Sequence, residues 1–253
     1  MESTRKILVT GSRGMAAALI EALNSQGIQT YALGGEYSDG ESLKSRCKHL
    51  VGFNPIDLRD ESAVESGFKK ALGELGNITD VVSIAGGSGR SFGDGPIHSM
   101  SREAWDKTFE LNLTTAFLTA REAIKIFLKN GGGSLILTTS VLAESPSPEH
   151  FQTHGYSASK AAISGLMKTI SASYITDNIR VNAIAPGLVA TPMAARAATN
   201  PVISEFIKRK QPLVKAQLPI ENLVSGYLAL LENSAITGQV LTIDGGWSTV
   251  TNI

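Results

Sequence analysis

Along the 253 residues, short stretches that are apolar at nearly every position alternate with longer ones in which apolar residues return at three- and four-residue steps. The short stretches predict strands near Lys6–Thr10, Gln29–Leu33, His49–Phe53, Asp80–Ile84, Ser134–Thr138, Arg180–Ala185 and Val240–Ile243. The longer ones predict helices over Met15–Ser25, Glu61–Leu75, Ser101–Leu128, Ser157–Ile175, Pro201–Lys210 and Glu221–Leu231. Within Glu61–Leu75, for example, Ala63, Val64, Phe68, Ala71, Leu72 and Leu75 share one helix face. Alternation of this kind belongs to a parallel sheet, and strands apolar on both sides need helices over both faces. The expected fold class is therefore α/β, a doubly wound sheet of about seven parallel strands, with residues 1–253 forming one domain. Two segments break the alternation: a glycine-dense one near 86–100, and one near 188–220 that holds Pro192, Pro201, Pro212 and Pro219. Each follows a strand, so each is expected to border the ligand crevice at the carboxyl ends of the strands.

Composition narrows the class further. Basic and acidic residues number 23 each, for a formal charge of +0, and no basic stripe stands out, so a nucleic-acid partner is not expected. The single cysteine, Cys47, forms no internal disulfide, which points to a reducing compartment and a cytoplasmic location. Residues Met1 to Lys6 lead straight into Ile7-Leu8-Val9 without an apolar signal core. The longest uninterrupted apolar run, Met15 to Ile20, is far too short to span a membrane.

Two sequence features carry chemistry. After the first predicted strand comes Thr10-Gly11-Ser12-Arg13-Gly14-Met15-Ala16-Ala17, which opens a helix. Glycines here permit a tight turn and bring backbone N–H groups and the positive helix end towards a pyrophosphate. A dinucleotide site of this kind usually has a carboxylate at the end of its second strand to hold the ribose hydroxyls of NAD. That place is taken by Gly34 and Gly35, and the first acid is Glu36. Arg13 is available to the extra phosphate of NADP, whereas an inward Glu36 favours NAD; the balance tips slightly to NADP(H). The second feature is Tyr156 and Lys160, four apart and so on one helix face. An ammonium beside a phenol stabilises the phenolate, bringing a group with an ordinary pKa near 10 towards the range of a general acid or base. The same spacing also occurs in ordinary exposed pairs.

With these residues in place, the whole chain resembles the single-domain branch of the short-chain dehydrogenase/reductase family. Its Tyr-x-x-x-Lys motif stands as Tyr156 to Lys160, its serine as Ser140, and the asparagine of its long middle helix as Asn112. Asp57-Leu58 is similar to its adenine-contacting pair, and Ala85-Gly86 to part of the stretch after its fourth strand. Arg180 to Gly187, with Val189 and Thr191, is similar to the segment over the nicotinamide, and Thr237-Gly238-Gln239 and Asp244-Gly245-Gly246 to its C-terminal signature. The resemblance departs at the glycine turn, which reads Gly11, Gly14, Ala17 and is one residue tighter than usual, and at Ser83, where an asparagine is usual.

The resemblance implies a Rossmann-like fold, NAD(P)(H) as cofactor, and interconversion of a secondary alcohol and a ketone. In that scheme Asn112, Ser140, Tyr156 and Lys160 are catalytic. Tyr156 moves the proton, Ser140 fixes the substrate oxygen, Lys160 lowers the tyrosine pKa and holds the ribose, and Asn112 supports a water-linked proton path. Cofactor contacts are implied at Gly11, Ser12, Arg13, Gly14, Met15, Asp57, Leu58, Ala85, Gly86, Tyr156, Lys160, Pro186, Gly187, Val189 and Thr191, with no metal. A homo-oligomer, dimer or tetramer, is also implied. Two alternatives on the same scaffold are a lyase or dehalogenase and a non-catalytic dinucleotide-binding protein. The substrate pocket is expected to be walled by residues near Gly87–Phe92, Val141–Ala143, His150–His154 and Leu188–Arg196, without a cationic cluster; His150 and His154 read as surface-loop residues.

Overall fold

The computed structural model describes residues 5–250, so the N-terminal reading over Met1 to Thr4 lies outside the described residues. The strands are β1 Lys6–Thr10, β2 Gln29–Leu33, β3 Leu50–Asn54, β4 Asp80–Ser83, β5 Gly133–Thr138, β6 Ile179–Pro186 and β7 Val240–Ile243. They form one sheet in the order β3-β2-β1-β4-β5-β6-β7, and every pairing is parallel. The connections reverse direction between β1 and β4, which makes the ends of these two neighbours the place where a crevice opens.

The helices are α1 Met15–Ser25, α2 Tyr37–Arg46, α3 Glu61–Leu75, α4 Arg102–Phe109, α5 Thr115–Asn130, α6 His154–Tyr174, α7 Ala195–Thr199, α8 Pro201–Lys210 and α9 Ile220–Glu232. Alternation along each strand sorts them into two layers. Ile7 and Val9 of β1 pack with Leu19, Leu23, Leu223 and Tyr227 of α1 and α9. Leu8 between them faces the other layer, with Val64 and Phe68 of α3, Phe127 of α5 and Met167 of α6. A smaller cluster joins Val141, Ala197, Phe206, Ile207 and Trp247, and fastens α7 and α8 over the segment that follows β5. Among the described residues no helix is long and apolar enough to cross a membrane.

Four differences from the sequence reading have physical causes. Strand β3 begins and ends one residue later than expected, beside a register shift between Thr30 and Tyr31. The unforeseen α2 buries only Gly40 and Leu43, so it has no apolar period to read, and Gly40 packs where a Cβ would lie 1.9 Å from the Phe53 ring. The expected single helix over 101–128 is divided at a π-helical turn, Glu110–Thr114, between α4 and α5. Finally, α6 starts at His154 rather than Ser157, because its cap comes from a distant segment described below.

Candidate active site

The glycine turn lies between β1 and α1. Gly11 (φ 100) and Gly14 (φ 54) both have backbone angles that disfavour a side chain, and a Cβ on Gly11 would lie 3.2 Å from Ala16. Helix α1 has Gly14 as its N-cap, no side-chain cap and no acid in its first turn, so the positive end of the helix is left open to an anion. Thr191 touches this turn: a Cβ on Gly14 would lie 3.4 Å from its methyl. Two segments predicted separately to hold the cofactor are thereby brought together. Beside them, Ser12 is 4% exposed and its hydroxyl has no partner among the described residues. A Cβ on Gly35 would lie 2.0 Å from that hydroxyl, so the glycine at the end of β2 makes room for Ser12. An orphaned buried hydroxyl, an open helix end and glycine-lined backbone fit a pyrophosphate and ribose. The residues present suit a dinucleotide.

The charged residues at this end are arranged differently from the sequence reading. Arg13 pairs with Asp39 of α2 at 3.1 Å, an acid the sequence reading did not consider because α2 was not foreseen. Glu36 is exposed at the N-cap of α2 and does not turn inward. Asp57 is clasped by Arg59 at 2.7 Å, which holds its carboxyl below the usual range. Leu58 is buried, and a Cβ on Gly34 would lie 2.6 Å from it.

The second wall is built on β4, β5 and α6. Thr10 accepts hydrogen bonds from the N–H groups of Ile84 (2.9 Å) and Ala85 (3.0 Å), tying the end of β1 to the loop after β4. The Thr138 hydroxyl donates to the Ser83 carbonyl at 2.8 Å. Threonines of neighbouring strands thus secure the sheet centre, where Ser83 stands in place of an asparagine. Asn112 lies in the π turn, fully buried. Its amide donates to Gly87 (2.9 Å) and Thr108 (2.9 Å) while its oxygen accepts from the Gly87 N–H (3.1 Å). This two-way tie to the loop after β4 accompanies the extra residue in the helix, and such bulges recur at functional sites. Gly86 runs against the pair it must pass, since a Cβ there would lie 2.8 Å from Asn112 Oδ1 and 3.4 Å from Lys160 Nζ.

Tyr156, Ser140, Lys160 and Asn112 meet at this wall. The Tyr156 phenol is set against the Ser140 hydroxyl, whose oxygen accepts from the Leu142 N–H at 3.2 Å. Lys160 Nζ donates to the Thr138 carbonyl at 2.9 Å and sits 5.7 Å from the centre of the Tyr156 ring. Here one expectation is corrected. Burial pushes the Tyr156 phenol above its ordinary value, with the Ser140 hydrogen bond as a partial offset. The ammonium beside the ring does not outweigh burial of the phenol, and burial brings Lys160 itself down to about 8.

Two positioning residues were not foreseen. Asp94, 5% exposed, accepts from the N–H groups of Gly155 (2.9 Å) and Tyr156 (2.8 Å) and so caps the helix that carries the tyrosine. The partners are 61 and 62 residues away, which no local pattern reveals. Asp94→Ala is expected to cost about 0.5–2 kcal/mol, read as a lower urea midpoint; an unchanged midpoint would show that the helix start holds without this cap. Gln211, fully buried, accepts from the Leu188 N–H (2.6 Å) and donates to the Leu188 (3.2 Å) and Ala216 (2.8 Å) carbonyls, bracing the segment that leaves β6. In that segment Pro186 ends β6, and a Cβ on Gly187 would lie 2.5 Å from Gln211. Val189 is buried and bridges to Leu218. A cavity of about 490 Å³ lies on the β7 side of Ser140, lined by Lys210, Thr242 and Ser248 among others. Ser140 borders it, and Tyr156 and Lys160 do not.

Residues 9–248 match the family described as enoyl-(acyl carrier protein) reductase. The chain is 31% identical over 245 residues to the 3-oxoacyl-(acyl-carrier-protein) reductase FabG of Chlamydia muridarum, covering 95% of each. It is likewise 31% identical over 253 residues to the glucose 1-dehydrogenase of Gluconobacter oxydans, covering 96% of this chain and 91% of that one. Its structure superposes on that of levodione reductase with a TM-score of 0.90 at 26% identity, over 99% and 100% of the two chains. The chain belongs to the short-chain dehydrogenase/reductase family, whose members use NAD(P)(H), and is an oxidoreductase.

Proposed function

We propose that this protein interconverts a secondary alcohol and a ketone, with Tyr156 carrying the proton. The observation that carries this reading is the Tyr156 phenol set against the Ser140 hydroxyl and beside a buried Lys160. A bound NAD(P)(H) supplies or takes up the hydride. Tyr156 donates its proton to the carbonyl oxygen during reduction and removes it from the alcohol during oxidation. Ser140 donates to the same oxygen and fixes its place. Lys160 keeps a positive charge beside the ring and has further N–H donors for a ribose hydroxyl. Asn112 holds Gly87, and with it the loop that faces Lys160. The test is turnover across a panel of ketones and secondary alcohols with each cofactor; absence of any nicotinamide-coupled conversion would overturn the reading. The named relatives act on different compounds, so they do not select a substrate.

For the cofactor, the reading leans to NADP(H). Gly34 and Gly35 put no carboxylate at the end of β2, and Arg13, exposed at its pairing with Asp39, can turn to a phosphate. Arg13→Ala is expected to weaken NADP(H) binding by roughly tenfold or more relative to NAD(H). Asp39→Asn, by releasing Arg13, should shift the ratio of dissociation constants roughly two- to fivefold towards NADP(H). Fluorescence titration with NADH and NADPH measures both; equal losses in the Arg13 variant would assign that residue to the loop alone.

A further inference from the structure

The cleft wall holds a cationic pair that the sequence reading did not expect. Arg90 belongs to the loop after β4, and Arg196 to α7, far apart in the chain. Both converge on a single oxygen: Arg90 Nη2 donates to the His150 carbonyl at 3.3 Å, and Arg196 Nη2 donates to the same carbonyl at 3.2 Å. His150 is part of the segment leading into α6, six residues before Tyr156. Its ring is mostly covered, edge-on to Phe206 at 4.8 Å, with Nε2 3.4 Å from Glu149. It therefore forms part of the wall and is not a free surface histidine.

Bringing two guanidinium groups together costs energy, and Arg90 shows it: burial and the charge of Arg196 hold it below its usual range. Among the described residues neither arginine makes an ion pair. The nearby acid, Asp94, acts on Arg90 through its charge alone and uses both oxygens on the backbone of α6. One neutral carbonyl satisfies one N–H of each arginine and leaves the other donors, and both charges, open to a ligand. A carboxylate has the two oxygens and the charge that such a pair lacks. The location fits as well. Arg90 precedes the Asp94 cap of the Tyr156 helix by four residues, while Arg196 follows Thr191, which touches the glycine turn, by five. Both arginines lie in segments that follow β4 and β6, at the carboxyl ends of the strands that border the crevice.

We propose that Arg90 and Arg196 bind a carboxylate group of the substrate, which makes the substrate a keto acid or hydroxy acid in which the reacting carbon is separate from the acid. This rests on the oxidoreductase reading above for the word substrate; the anion site itself does not.

The test pairs each acid with its uncharged methyl ester. Calorimetric titration of the wild-type protein with 4-oxopentanoate, 4-oxocyclohexanecarboxylate and succinate, against the methyl esters of each, is expected to favour the acids by roughly 10- to 100-fold. Arg90→Gln and Arg196→Gln should each erase most of that preference, and Arg→Lys at either position should restore part of it. Equal binding of acids and esters by the wild type would overturn the proposal. So would arginine variants in which acid and ester affinities fall by the same factor, because that is the signature of a loop brace. Turnover of the uncharged esters is measured separately. Failure of these compounds to turn over in the full panel of ketones and secondary alcohols bears on the oxidoreductase reading alone, and the binding result decides the anion site.

Discussion

Tyr156→Phe is expected to lower kcat by roughly 10²–10⁴-fold, the range for loss of a general acid or base. The substitution deletes one hydroxyl and keeps the ring that Lys160 flanks, so dinucleotide affinity and melting temperature should change little. Ser140 retains its hydrogen bond from the Leu142 N–H, which limits any rearrangement around the lost group. The direction of the phenol's shift adds a second readout. Because burial keeps Tyr156 protonated well above neutral pH, the resident form is the proton donor that ketone reduction needs. Alcohol oxidation requires the phenolate, so its rate should climb with pH while reduction does not. Rapid-mixing kinetics at several pH values, with cofactor affinity measured alongside, check both points. A near-wild-type kcat would take Tyr156 out of the proton-transfer role.

Where burial follows a period, the fold could be read from the residues. The bounds of β1, β2, α1, α3 and α8 fall where the apolar pattern places them, because each of those segments is set by its own buried face. What escaped has its cause elsewhere in the chain. Helix α2 buries only Gly40 and Leu43, and depends on the fit of Gly40 against Phe53. The break in the long middle helix accompanies the bonds of Asn112 to Gly87, 25 residues earlier. The start of α6 is fixed by Asp94, more than sixty residues earlier.

The site divides in the same way. Tyr156 and Lys160 share a helix face by spacing alone, and the family resemblance added Ser140 and Asn112, which the structure places at the same wall. Arg13 could be seen as a cation near a phosphate turn, but its partner Asp39 belongs to the helix that had no pattern. Arg90 belongs to the segment after β4 and Arg196 to the five-residue helix α7, and their meeting at the His150 carbonyl depends on how these two distant segments are placed. Periodicity carries no information about such encounters. The sign of the tyrosine shift was missed for a related reason: helical spacing places the ammonium near the ring but does not report how far burial outweighs it.

Lys160→Met separates the two consequences of burying an ammonium and should move them in opposite directions. Lys160 is 4% exposed, and its ammonium is brought down to about 8 from an ordinary 10.5. Below pH 8 the folded and unfolded chains both hold this proton, and the fold carries the whole cost of desolvating it. Between pH 8 and 10.5 the unfolded chain binds more protons than the folded one, so stability rises with pH through that window and the cost is gone above it. The full cost is on the order of 3 kcal/mol, offset by about 1 kcal/mol for the hydrogen bond to Thr138 that methionine forfeits. The variant is therefore expected to melt several degrees higher than the wild type at pH 7, with the gain shrinking towards pH 10. Activity should go the other way. Without the positive charge beside the ring, nothing from this helix opposes the effect of burial on Tyr156, so the acid limb of the oxidative pH–rate profile should move upward and cofactor binding should weaken. Calorimetry at pH 7 and pH 10, with the oxidative profile, tests the pair of effects. A variant less stable than the wild type at pH 7, with an unshifted profile, would mean that Lys160 holds the fold together through Thr138 and leaves the tyrosine untouched.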